Sequence, residues 1–283
     1  MVLPGRIDED GFFPFGMPNG PRDVTWKGSG SPRLLVVGVY PSALHVSWKA
    51  PARVERPDDG VGRVSAMAVD VEPEVFWTGD NADALVESWK QSVGFVEGDD
   101  VGCDGYASAR GNGPSGRTLL GYLDALGVAP DQTAFLDVYP VFVVHRSPGS
   151  QGKAVERDYD PVARSLGPSG REASSLPTRP NASVLPRKAA DRFGSWLRDS
   201  LAELRPDAVI TLGQESWDAL AQVDGVALTH GQRSLSEAKQ HYGEPGEVAV
   251  GSTTIPWFPL VHPGLLSKNA DWKRIHDGWR PTL

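Results

Sequence analysis

The sequence predicts an α/β fold: three layers, αβα, around a central four-stranded parallel sheet, in one domain spanning residues 1–283 with two long insertions. Three observations carry this. Short apolar runs rich in β-branched residues alternate with stretches of helical periodicity. Each run stops at Gly, Pro or Asp, as buried strands do where they meet a loop. At 283 residues, with 40% hydrophobic content, the chain can bury one substantial core.

The elements follow in order. Arg33 to Val39 is a buried strand stopped by Tyr40-Pro41-Ser42. Gly116 to Leu126 aligns Leu119, Leu120, Leu123 and Leu126 on one helix face, and Gly127 closes it. Thr133 to Val138 is the second strand, halted by Pro140. A helix from about Pro186 to Leu204 aligns Phe193, Trp196, Leu197, Leu201 and Leu204, and Arg205-Pro206 ends it. Ala208 to Gly213 is the third strand, Gln214 to Ala221 a helix, and Trp257 to Val261 the last strand, followed by a helix starting near Asn269. Right-handed crossovers then bring the loops that begin at Gly38, Asp137, Gly213 and His262 to one edge of the sheet. The insertions cover about 51–112, with a strand around Val64–Val71, and 146–186, which shows no periodicity.

Charge and cysteine content restrict the function classes. The net charge of −8 argues against nucleic acid as a partner. The distribution reopens that possibility: residues 54–104 carry thirteen acids against three bases, whereas 141–192 carry nine bases against five acids. One cysteine, Cys103, excludes an internal disulfide and a cysteine-built metal site, so neither metal nor cofactor is expected. No apolar run approaches the length of a membrane helix and no secretory leader is visible, which predicts a cytoplasmic protein that engages no membrane and needs no obligate protein partner.

The loops carry a resemblance. Gly38-Val39-Tyr40-Pro41-Ser42 resembles the first motif of the uracil-DNA glycosylase superfamily, and Gly113 to Leu120 resembles that family's glycine-rich helix entry. Phe135-Leu136-Asp137-Val138 is similar to its base-recognition strand, and Ala208 to Gly213 to its third strand. His262-Pro263-Gly264-Leu265-Leu266-Ser267 is similar to its final motif. The likeness covers about 33–42, 113–140 and 206–279.

The resemblance implies a DNA glycosylase that flips a base out of DNA and hydrolyses its N-glycosidic bond. His262 would donate a hydrogen bond to the departing base, Leu266 would wedge into the vacated stack, and Ser42, His45, Ser267 and Lys268 would contact DNA. Val39, Tyr40, Pro41, Gly111 and Trp77 would form the base pocket. Three departures qualify it. Val39 and Tyr40 occupy the positions where most relatives carry a water-positioning acid or amide, which leaves Asp137 or His45 to activate water. Asp137 replaces the usual asparagine, and a carboxylate accepts from the amino group of cytosine where an amide would suit uracil. Gly111 stands where many relatives have a base-stacking phenylalanine, which implies a roomier pocket or a substitute ring from Trp77, Tyr40, Tyr106 or Trp48. The expected substrate is a non-canonical base, favouring a hydroxymethylated or glucosylated cytosine of phage DNA, in a bacterial defence role. A catalytically inactive DNA- or nucleotide-binding member and a uracil-excising repair enzyme are the alternatives.

Overall fold

A computed structural model describes residues 12–13, 17–18, 20–49, 63–93, 101–105, 113–144, 156, 178–266 and 268–279. The chain is α/β, with a mostly parallel six-stranded central sheet flanked by helices.

The four expected strands are present and adjacent. Two short strands, β1 (Phe12–Phe13) and β2 (Met17–Pro18), pair with each other ahead of the sheet. The sheet itself begins with β3 (Leu34–Gly38). Next in the chain come three strands of a separate antiparallel sheet: β4 (Ala43–Lys49), β5 (Arg63–Val71) and β6 (Val101–Gly105), with β4 in the middle. The central sheet resumes with β7 (Thr133–Asp137) and β8 (Ala208–Leu212) and ends with β9 (Val226–Thr229), β10 (Gly246–Val250) and β11 (Thr253–Leu260). Its order is β7-β3-β8-β11-β10-β9. The pairs β3 with β7, β3 with β8 and β8 with β11 are parallel.

The sheet therefore has six strands where four were expected. β9 and β10 extend it antiparallel beyond β11, with β10 and β11 joined by the two-residue turn Gly251-Ser252. Gly251 takes φ +58°, the left-handed conformation such tight hairpins require. In β10, Gly246, Val248 and Val250 are buried and Glu247 is exposed, the alternation of a strand with one face on the core. The parallel strands β7 and β8 are buried at every residue, which is why their apolar runs are continuous.

The helices are α1 (Ala82–Val93), α2 (Gly113–Leu126), α3 (Leu185–Leu204), α4 (Gln214–Leu220), α5 (Pro263–Leu266) and α6 (Ala270–Asp277). Asn269 caps α6, its Oδ1 accepting from the Trp272 N–H at 3.1 Å. The insertion around 51–112 holds β5 where a strand was expected, together with α1 and β6. Most of 146–186, and residue 111 with it, lies outside the described residues.

One apolar core joins the sheet to the helices. It runs from Leu34, Val37 and Leu136 on the strands to Leu123 on α2, Phe193 and Trp196 on α3 and Trp217 on α4. The outer edge of β7 is covered by the segment before β3. Thr25 and Phe135 exchange both backbone hydrogen bonds at 2.9 and 3.0 Å, and the Arg22 N–H donates to the Pro140 carbonyl at 2.7 Å. Among the described residues, no helix is long and apolar enough to cross a membrane.

Candidate functional site

Parallel strands present their carboxyl ends together, and connections that leave in opposite directions open a crevice there. β3 leads to β7 on one side and β7 leads back past β3 to β8 on the other, so the crevice lies outside the ends of β3 and its neighbours. A cavity of about 320 Å³ occupies this place. Gly38 at the end of β3 and Val39 just after it line it, with Asp137 from β7, Leu212 from β8 and His262 beyond β11. The loops are stitched to one another, the Val138 N–H donating to the Gly38 carbonyl at 3.1 Å and the Tyr139 N–H to that of Val39 at 2.9 Å.

His262 stands at the accessible mouth of this cleft. Its Nδ1 accepts from the Gly264 N–H at 3.1 Å. A ring whose Nδ1 accepts must carry its proton on Nε2, so the neutral imidazole has a fixed tautomer with one N–H to donate. Desolvation among the surrounding protein atoms lowers its pKa, opposed by the charges of Glu215 and Asp137 and reinforced by Lys268 and Arg179. Both effects favour a neutral donor. Two glycines let the loop close this tightly. Gly213 has φ +94°, and a Cβ there would lie 3.2 Å from the Cβ of His262. A Cβ on Gly264 would lie 3.2 Å from both His262 Nδ1 and Ser115 Oγ.

Behind the histidine, two phenols hold the strand end. Tyr122 donates its hydroxyl to the Val261 carbonyl at 2.8 Å, and the Val261 N–H donates to the Tyr242 hydroxyl at 3.3 Å. The Tyr242 hydroxyl also lies 3.0 Å from His276 Nδ1. Burial raises the pKa of both phenols, so they are neutral donors and acceptors at all ordinary pH. The residue before His262 is thereby fixed through both of its backbone groups.

Asp137 is buried, and Arg22 is its partner. The guanidinium Nη2 donates to Asp137 Oδ2 at 2.5 Å, and Nη1 donates to the Glu72 carbonyl at 3.3 Å. Burial pushes the Asp137 carboxyl up from the usual range, while the Arg22 charge and hydrogen bond and the His262 charge pull it down. The other carboxyl oxygen lies over β3: a Cβ on Gly38 would come 2.3 Å from Asp137 Oδ1. Gly38 therefore leaves room for this acid.

The remaining expected residues divide. Val39, Tyr40 and Ser42 line the cavity, whereas Pro41 is buried beside it without lining it. His45 lies on β4, its ring 6.1 Å from Phe142 and edge-on, and is not among the lining residues. Trp77 is also not among them; it is buried with its Nε1 donating to Asn81 Oδ1 at 3.1 Å. Leu266 requires a correction as a wedge: it is buried in the core at 7% exposure, because the helical turn of α5 points it inward. Leu265 is the exposed apolar residue of that turn, at 38%. Lys268 is exposed and close enough for its charge to act on His262. Gly111 and Ser267 lie outside the described residues.

Several lining residues were not anticipated. Arg22 is the one cation in the described lining, and Glu72 is the one acid there besides Asp137. Glu72 is buried at the end of β5, its N–H donating to the Ser42 carbonyl at 3.0 Å. Phe76 also lines the cavity. Beyond Tyr40, Arg179 pairs with Glu215 and sits 5.6 Å from the Tyr40 ring centroid. Tertiary packing of segments outside the central sheet brings these together. Arg22 and Asp137 are 115 residues apart, and no local pattern marks the pair.

Fold and cleft define an α/β protein with an open cleft at the carboxyl edge of its sheet, where an accessible histidine and a buried acid stand among mostly apolar lining residues. No protein-family model matches the chain, and no curated protein matches it in sequence.

Proposed function

We propose that the chain is a DNA glycosylase of the uracil-DNA glycosylase type, which excises a non-canonical base, favouring a hydroxymethylated or glucosylated cytosine, and leaves an abasic site. The observation that carries this reading is His262, a residue of the cleft lining, with Nδ1 occupied by the Gly264 N–H, which leaves Nε2–H as the one donor its neutral ring can offer. Cleaving an N-glycosidic bond moves its electron pair onto the base, where charge collects on the carbonyl oxygen. A preorganised neutral donor stabilises that charge without surrendering its proton, and losing one such donor typically costs roughly 10²–10³ in rate.

Asp137 supports the choice of base. Paired with a guanidinium that is always charged, it acts as a carboxylate, able only to accept, and Oδ2 is already occupied by Arg22. Oδ1 is the atom for the exocyclic amino group of a cytosine-type base. The attacking water needs another group. Asp137 is held by Arg22 and His45 does not line the cavity, so the role falls to Glu72, the second acid of the lining. In this scheme the water oxygen bonds to the sugar carbon as the base departs, and its proton passes to Glu72. Leu265, exposed beside His262, takes the wedge role first expected of Leu266.

A panel of duplexes containing uracil, hypoxanthine, 5-hydroxymethylcytosine or glucosylated 5-hydroxymethylcytosine, assayed for abasic sites, tests the reading. Excision of a cytosine derivative, abolished in His262→Ala, supports it. Excision of uracil alone would make the chain a repair enzyme. Binding without any abasic product would make it a catalytically silent binder, the alternative favoured by Val39 and Tyr40 in place of an acid or amide.

A further inference from the structure

Among the described residues, two that are not glycine adopt left-handed backbone, Arg205 at φ +46° and Phe76 at φ +62°. Arg205 has an ordinary reason: it terminates α3, and its N–H donates to the Leu201 carbonyl at 3.2 Å. Phe76 caps no helix. It lies in a turn after β5, where glycine or asparagine would take the same conformation without the clash a bulky side chain suffers. A strained aromatic residue inside a cleft points from the outlier toward function.

The ring is well placed for one. Phe135 and Asp137 alternate along β7 and so share a face, opposite Val36 and Gly38 of β3. All four line the cavity. Phe76 packs edge-on against Phe135, with centroids 5.6 Å apart and planes at 88°. It is only half-buried, so ring surface stays open to an occupant of the cleft. The perpendicular contact with Phe135 fixes the plane of the ring and occupies at most one of its faces, which leaves at least one face for another flat system.

We propose that Phe76 is the platform on which a planar heterocycle stacks in this cleft. The identity of that heterocycle as a nucleobase rests on the function proposed above. Asp137 would read the edge of the base while Phe76 covers a face, and the backbone strain is the cost of delivering the ring from a turn rather than from the sheet. Phe76 adjoins Trp77, one of the four rings the sequence offered for this role, but the Trp77 Nε1 is engaged with Asn81.

The test separates stacking from packing, and both from the glycosylase reading. Equilibrium binding of free cytosine, 5-hydroxymethylcytosine and uracil is measured by ligand-observed NMR for wild type, Phe76→Tyr, Phe76→Leu and Phe76→Gly. Stacking predicts that at least one base binds wild type, that Tyr retains the affinity, and that Leu and Gly lose roughly ten-fold or more. Leu keeps apolar bulk against Phe135, and Gly relieves the φ +62° strain, so a folded Gly variant is expected even where Leu packs poorly. If no base binds wild type, or if Leu or Gly binds as tightly as wild type, the proposal is overturned. If bases bind with this dependence on Phe76 and yet no duplex yields an abasic site, the glycosylase reading fails and the stacking role stands.

Discussion

Arg22 and Asp137 form a buried ion pair, 2.5 Å between Nη2 and Oδ2, with both side chains less than a tenth exposed. It joins the segment ahead of the sheet to the end of β7 and sets the charge of the cleft floor.

Removing one partner of such a pair strands the other. Arg22→Ala is expected to cost roughly 3–5 kcal/mol in urea unfolding, whereas replacing both residues, Arg22→Met with Asp137→Leu, should recover most of it. The loss also depends on pH. A carboxyl whose folded pKa is raised contributes stability below its unfolded value of 3.8 and loses it as pH rises toward the folded value. Without Arg22 that upward shift grows, so the variant should be weakened more at pH 8 than at pH 4.

His262 is neutral to lower pH than a free histidine, because its pKa is lowered from 6.5 by desolvation. The unfolded chain then binds a proton that the folded chain refuses, so this residue destabilises the fold as pH falls below 6.5. Nitrogen-detected NMR should find the proton on Nε2 at neutral pH and a titration midpoint below 6.5. Base excision should hold constant above that midpoint and decline below it; a midpoint above 6.5 contradicts the neutral-donor assignment.

Gly38→Ala places a methyl 2.3 Å from Asp137 Oδ1. The acid must then move, at a cost of roughly 1–3 kcal/mol. Thermal melting should show that loss, and Asp137→Ala in the same chain should remove most of it. Equal losses with and without Asp137 would locate the strain elsewhere.

Tyr122→Phe leaves the buried Val261 carbonyl without its 2.8 Å donor, a loss of about 1–3 kcal/mol by denaturation. Because Val261 precedes His262, the excision rate should fall more than the affinity for DNA. Tyr242→Phe, which removes the acceptor for the Val261 N–H, should act in the same direction.

The parallel part of the sheet was legible because β3, β7, β8 and the second half of β11 are buried on both faces and read as largely apolar runs. β10 escaped notice because half of it faces water and its alternation is short, although Gly251-Ser252 is a recognisable hairpin turn. Strand order placed His262 and Asp137 together once the crossover rule was applied. Arg22, Glu72 and Phe76 were illegible for a common reason: each reaches the cleft from outside the alternating strands and helices, through tertiary packing that no periodicity reports. Leu265 and Leu266 show the finer limit, since a single turn of helix decides which of two neighbouring leucines meets the core.

The backbone bridge between Thr25 and Phe135 has a practical consequence for anyone trimming the chain. A version starting at Arg33 would keep every strand of the central sheet, yet it would unmask β7 as a raw edge able to recruit a second molecule strand to strand. Such a truncation should self-associate.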